Sequence, residues 1–393
     1  MNPTLSKKIS VISFFSMIAL VYVHNYNLNE RIITPSTVVH ESITFTTFAE
    51  YLFSNGLLRF RLPLLMAISG YLIANSRFQT VPKIFLQKFR TLLVPYFLIS
   101  AIGFLIALFI ELLFFKNNSG IANIIFNKPI THFSIKEMLY CILVYPLPFQ
   151  LWYLKVLFML SLLYPLIKKI LLHYPVPFLI FIFSVWFFTN YPDGNSKDRA
   201  YVFFVLGVYL KMYKIDFSKP FKRFPVALAF LLFLVLNVFK TWLAFKGGLF
   251  LNSTEVAYAI ELLYKTCEIL GFYAMWFLSD KLVALCYKNS FLNRSIQSAF
   301  FIYAFHAPLM MMGSQLLLQR LMSVPYIRLI EYVVFPLIVA FICTEFDGVL
   351  RMYFPLAHSI ITGGRNAAKE NEASWKHSLP DKWSKEHSLN WAG

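Results

Sequence analysis

Ten stretches of this chain stay apolar for roughly the length of a bilayer crossing, and no other property narrows the possible folds as far. They lie at about 9–28, 52–74, 91–115, 150–170, 176–190, 199–213, 225–246, 256–279, 297–318 and 328–350. An α-helix needs about 20 residues to cross the hydrocarbon core. Lipid offers backbone N–H and C=O groups no partners, so such segments must satisfy their own as helices. Hydrophobic residues make up 58% of the chain and charged ones only 14%, against about 45–50% apolar in soluble domains. The reading is an all-α, polytopic transmembrane bundle of about ten helices, its fifth and sixth short and proline-flanked.

The basic residues orient this map. With the N-terminus cytoplasmic, the inner loops receive Lys7 and Lys8, then Arg77, Lys83, Lys88 and Arg90, Lys168 and Lys169, the group from Lys211 to Arg223, and Lys281, Lys288 and Arg294. The outer loops, although longer, receive Arg31, Lys116, Lys128, Lys136, Lys197, Arg199, Lys246 and Arg320, with Arg328 at the border. Spans orient with their positive loops inside, so both termini are expected in the cytoplasm. The same bias accounts for much of the +17 net charge, which is therefore not a sign of nucleic-acid binding. Residues 1–362 read as one membrane domain, and 363–393 turn abruptly polar, as a disordered cytoplasmic tail would. The first apolar run lacks a small-residue cleavage site and is expected to remain as the first helix. Cys141, Cys267, Cys286 and Cys343 are scattered, which fits neither a zinc site nor a disulfide framework.

Polar residues inside the spans carry the functional information, because burying an ionisable group there is costly and usually serves a task. His24 and Asn25 close the first helix in "LVYVHNYN", and Arg59 and Arg61 stand in the outer half of the second. The first two helices are consecutive and antiparallel, so His24 and Arg61 share a depth. In a regular helix, residues two apart diverge by about 200°; Arg61 then faces inward and Arg59 snorkels outward. Ser69 and Gly70 further along suggest close packing. Lys155 follows Trp152 and Tyr153 near the outer end of the fourth helix, and His306 lies mid-span, two residues before Pro308, which frees a backbone carbonyl one turn earlier. Glu261, Lys265 and Glu268 share one helix face, as an inter-helix ion-pair network would.

Five pieces, "VHNYN", "RLPLLMAISGYLI", "KFRTLLVPYFL", "LWYLKVLFMLSLLYPLI" and "FIYAFHAPLM", occur in an order that resembles the membrane acyltransferase-3 family. The resemblance covers about residues 8 to 350. It implies a multi-pass enzyme of a bacterial inner (plasma) membrane that moves an acyl group, typically acetyl, from acetyl-CoA to a hydroxyl of a surface or lipid-linked polysaccharide. It further implies His24 and Arg61 as catalytic residues, with Lys155, Trp152, Tyr153, His306, Ser69 and Arg90 binding substrate or donor, and no metal. Many members carry an arginine eleven positions before the histidine, where this chain has Ser13; either the role moves to another base such as Lys7, Lys8 or Arg90, or this branch handles its acyl donor differently.

The chemistry suits these residue types. A neutral imidazole can remove the hydroxyl proton. A fixed guanidinium can stabilise the oxyanion or hold a donor phosphate. The competing reading is an exporter of polysaccharide or lipid-linked glycan, in which the same buried charges line a pathway; no internal duplication of the kind common in transporters is visible in the sequence.

Overall fold

The computed structural model describes residues 3–25, 38–76, 80–115, 128–189, 198–215, 217, 224–321 and 323–364. Among these the regular structure is helical, with no strand. The first helix, α1 (Pro3–His24), is followed by α2 (Phe45–Leu52), a wide π-type turn at Phe53–Leu57 and α3 (Arg61–Ala74). Next come α4 (Val81–Lys88), a second wide turn at Phe89–Leu93, and α5 (Val94–Ile110). The short amphipathic α6 (Ile135–Leu143) lies within the expected outer loop and precedes α7 (Trp152–His173), α8 (Pro175–Phe188) and α9 (Asp198–Met212). A hairpin of α10 (Val226–Lys246) and α11 (Ser253–Lys288) leads to α12 (Ser290–Gln297), α13 (Ala299–Leu321), α14 (Ile327–Tyr353) and α15 (Pro355–Ile361).

Seven helical stretches among the described residues have the length and apolarity of a span: Pro3–His24, Phe45–Ala74, Val81–Leu113, Phe149–His173, Val226–Leu249, Ser253–Lys288 and Ile327–Tyr353. The other three apolar runs form α8, α9 and α13, of which α8 and α9 have only 14 and 15 residues. A multi-pass helix bundle is therefore the architecture, with seven helices among the described residues meeting this measure on their own. Large apolar side chains such as Leu105, Phe109, Leu337 and Phe341 point outward, which is where a lipid-facing surface puts them.

Position in the bundle follows from two faces of α1. Ile9 and Ile12 pack with α3, α7, α9 and α11, while Val11, Phe14, Met17 and Val21 pack with α5, α13 and α14. At one end of α1, Tyr22 Oη donates to the Val333 carbonyl and Asn25 Nδ2 to the Glu331 carbonyl, both near the start of α14. At the other end, Lys8 pairs with Asp280 at 2.8 Å. The described ends of the chain lie at this second end together, because α14 runs away from His24 for 27 residues, about 40 Å, before α15.

Helices α3 and α9 touch backbone to backbone. A Cβ on Gly70 would fall 2.0 Å from the Phe204 carbonyl oxygen, and one on Gly207 would fall 1.9 Å from that of Ala67. Only glycine permits this approach, and it seats the helix that begins with Arg61. The four cysteines are buried free thiols. Residues 365–393, and with them nearly all of the expected polar tail, lie outside the described residues.

Candidate functional site

The interior around the end of α1 is built by three irregularities in the helices. The first is the break between α2 and α3. A regular helix would carry its hydrogen bonds through 53–60, but the wide turn exposes carbonyls that lipid cannot satisfy. Three cations, Arg61 and Lys240 buried and Arg59 half-buried, supply the donors. Arg59 Nε donates to the Ser54 carbonyl at 2.7 Å, and its Nη2 to the Asn55 side chain. Arg61 Nη1 donates to the Leu58 carbonyl at 2.9 Å, and Lys240 Nζ, from α10, donates to the Asn55 carbonyl. Arg59 thus folds back over the turn and does not reach outward as a snorkelling side chain would. The 200° argument fails because the backbone between the two arginines is not a regular helix.

Pro308 produces the second irregularity. The carbonyl it leaves open, that of Ala304, receives Gln150 Nε2 at 3.1 Å. Tyr303 returns a bond from its hydroxyl to the Gln150 carbonyl at 2.8 Å. This clasp pins the start of α7 to α13 and sets Phe149 edge-on to the His24 ring, with centroids 4.6 Å apart.

The third lies at His306. Its Nδ1 donates to the carbonyls of Ile302 and Tyr303 at 2.9 and 3.0 Å. A bond of this kind puts the proton on Nδ1 and leaves Nε2 as an acceptor. His306 is fully buried, and Nε2 has no partner among the described residues. The His24 ring stacks on it, with centroids 5.4 Å apart and planes 19° from parallel. Stacked in this way the two rings do not hydrogen-bond to each other, and His306 Nε2 is left for a third group.

Arg61 completes the group. It is buried and lies within electrostatic range of both imidazoles. Among the described residues its one hydrogen bond is to Leu58, and no carboxylate pairs with it. A buried guanidinium has five donors and a charge to satisfy; here one donor is spent on Leu58, and the charge acts on both imidazoles and is itself acted on by Arg59, Arg199 and Glu268. Gln150 Oε1 and Asn25 Oδ1, beside Phe149 and His24 in the chain, are likewise buried acceptors without partners among the described residues. The site therefore offers one unpaired cation and several orphaned acceptors, which suits a ligand with an anionic or oxyanionic centre and hydroxyl groups.

Of the residues singled out in the sequence, His24, Arg61 and His306 converge here. Ser69 and Tyr153 meet each other, with oxygens 3.2 Å apart, and the Tyr153 ring packs on Tyr303 next to the Gln150 clasp. Trp152 packs edge-on against Tyr153. Lys155 reaches elsewhere: Nζ donates to the Val144 carbonyl at 2.6 Å, capping the end of α6, and lies over the Tyr96 ring. Arg90 is exposed on the second wide turn; the neighbouring Thr91 carbonyl lies against Gly363, beyond α15, so Arg90 is at the end of the bundle opposite His24. Lys8 is occupied by Asp280 and Trp276, and Lys7 lies over the Tyr287 ring.

Glu261, Lys265 and Glu268 form the expected interior ion-pair network, with partners on other helices. Glu268 accepts from Arg199 and, at 2.6 Å, from Tyr264. Lys265 pairs with Glu261 at 3.6 Å and caps α8 through the Thr189 carbonyl. Arg199, assigned from sequence to an outer loop, is a buried first-turn residue of α9, and Arg328 is the partly buried clamp on Glu41 and Glu50. Sequence reasoning missed Gln150 and Lys240. A lone lysine in the middle of the 225–246 run was a visible signal; Gln150 gave none.

A family model described as an acyltransferase domain matches residues 8–345. The chain is also 24% identical over 318 residues to the succinoglycan biosynthesis protein ExoH of Rhizobium meliloti (strain 1021), covering 80% of this chain and 81% of the relative. No solved structure matches it. The match spans most of the helix bundle and includes His24, Arg61 and His306: the chain is a multi-pass membrane protein of the acyltransferase-3 family.

Proposed function

We propose that this protein O-acetylates a hydroxyl of a surface or lipid-linked polysaccharide in a bacterial inner membrane, with acetyl-CoA as donor. The observation that carries the proposal is the buried, carboxylate-free Arg61 guanidinium beside the stacked His24 and His306 rings. The relative's name, which refers to succinoglycan biosynthesis, supports a glycan acceptor.

In this reading His24 removes the proton from the acceptor hydroxyl as the oxygen attacks the thioester carbonyl. The tetrahedral oxyanion forms against the guanidinium of Arg61, where low dielectric makes the interaction strong. Its collapse forms the ester and breaks the C–S bond. The proton returns from the imidazolium to the leaving thiolate. His306 Nε2 and Gln150 Oε1 accept hydrogen bonds from neighbouring sugar hydroxyls and fix the acceptor's orientation. Arg90, with Lys83 and Lys88, holds the nucleotide end of the donor at the opposite end of the bundle, and the pantetheine arm enters from there. This requires the end bearing Lys7, Lys8 and Arg90 to face the cytoplasm.

The test is incubation of membranes with acetyl-labelled acetyl-CoA, followed by recovery of surface glycan. Base-labile label should appear with the wild-type protein and fall by about 10²–10⁴-fold in His24→Ala, the usual cost of removing a general base, at matched protein levels. Activity within a few fold of wild type would remove His24 from this role. An absence of label with the wild type would remove acetyl transfer itself.

A further inference from the structure

Lys240 is a fully buried lysine whose hydrogen bond is to a backbone carbonyl rather than to a carboxylate. Burying an ammonium costs several kcal/mol, so an apolar residue would be the default at a purely structural position. The carbonyl it meets belongs to Asn55, inside the wide turn at Phe53–Leu57. Two aromatic faces help hold the charge, with the Tyr264 and Tyr51 centroids 5.0 and 5.9 Å from Nζ.

A second residue of α10 meets the same turn. Asn237, one helical turn before Lys240, lies against Gly56, where an added Cβ would come 2.7 Å from Asn237 Oδ1. The turn is therefore seated on α10 at two consecutive residues, its side chain facing Arg59 at Asn55 and its backbone facing Lys240. Arg59 and Arg61 follow immediately, and the Arg59 amide bonds back to the Gly56 carbonyl at 3.0 Å.

We infer that Lys240 is a positioning residue of the acyl-transfer site: by holding the Asn55 carbonyl it fixes the broken-helix turn that aims Arg61 at the two histidines. This rests on the role given to Arg61 above. Lys240 touches neither histidine in the structure and acts through the turn.

The experiment compares Lys240→Met, which loses the donor, with Lys240→Arg, which keeps one, in the full-length protein. Two readouts are taken: hydrogen exchange of the backbone amides at 53–61, and label transfer from acetyl-CoA to glycan in native membranes. Lys240→Met should speed exchange in that segment at least tenfold, leave α13 and α14 unchanged and cut transfer at least tenfold per folded molecule; Lys240→Arg should recover most of both. Unchanged exchange at 53–61, or transfer within twofold of wild type, overturns the inference. If Lys240→Met does not fold, Gly56→Ala replaces it: its methyl group pushes the turn off Asn237, transfer should fall, and adding Asn237→Ala should restore it. Failure of that rescue also overturns the inference. A wild type with no transfer, alongside the expected exchange change, instead marks failure of the acyltransferase reading.

Discussion

Arg59 and Arg61 differ in how the protein uses their donors, and function should divide them accordingly. Arg59 spends Nε and Nη2 on the turn, so Arg59→Lys removes one of two hydrogen bonds and should cost about 1 kcal/mol of stability. Arg61 spends one donor, on the Leu58 carbonyl, and Arg61→Lys replaces its fork with a single ammonium that cannot present parallel donors. We expect Arg61→Lys to lose about 10²–10³-fold in transfer, the usual cost of an oxyanion donor, and Arg59→Lys to keep the rate per folded molecule within about tenfold. Labelled-acetate incorporation alongside thermal unfolding checks both; the reverse order would mean that Arg59 holds the oxyanion. The three converging residues were legible in the sequence because each is a polar residue within an apolar run. Gln150 was not, since its partner Ala304 is 154 positions away and only the folded clasp gives it a role. Arg199 was misread because it stands at the edge of a short run, where a charge is indistinguishable from a loop charge.

Among the elements, α6 shows how a short helix is held outside the spans. Ser134 and Glu137 form a reciprocal cap at its start, and Lys128 donates to Glu137 at 2.8 Å. Lys128 and the Ser134 donors pull the Glu137 carboxyl down to about 2. A carboxylate depressed in the folded state stabilises it above its ordinary pKa, near 4.5, and that contribution is lost as pH falls towards 2. Protection of the amides in α6 should therefore be constant from pH 7 to about 5 and decline below about 4. In Lys128→Gln the decline should be smaller and end at higher pH, because the folded-state carboxyl is then less depressed. Hydrogen-exchange protection factors across that range measure it; a pH-independent profile would show that the cap contributes nothing. Helix positions were legible from the apolar runs, and even the open carbonyl before Pro308 was. The wide turn at 53–57 was not, although Ser54, Asn55 and Gly56 in mid-span marked it, because a hydrophobicity run records length and not hydrogen-bond geometry.

Across the whole molecule, both described ends of the chain lie at the end of the bundle away from His24, in keeping with an even number of crossings. With that end in the cytoplasm, a cysteine introduced at position 79 should resist a membrane-impermeant reagent added to intact cells, and one at position 40 should react. The opposite pattern would invert the molecule and put the donor end outside. The positive-inside bias is what points to this orientation. Which helices adjoin was not readable in the sequence, because ridge and groove contacts between apolar faces leave no pairing code in composition.

The glycine seat between α3 and α9 bears on how the protein can work as a machine. An alternating-access exporter must shear one group of helices past another on every cycle, whereas backbones meshed at Gly70 and Gly207 resist sliding because any displacement drives a carbonyl into a main-chain atom. A group-transfer enzyme needs no such stroke; it gains from a frame that holds its reacting groups still. A disulfide engineered across this seam, in a background lacking the four native cysteines, should therefore leave acyl transfer running, whereas it would jam an exporter. Catalysis here would draw its precision from the stiffness of a joint that contains no side chain at all.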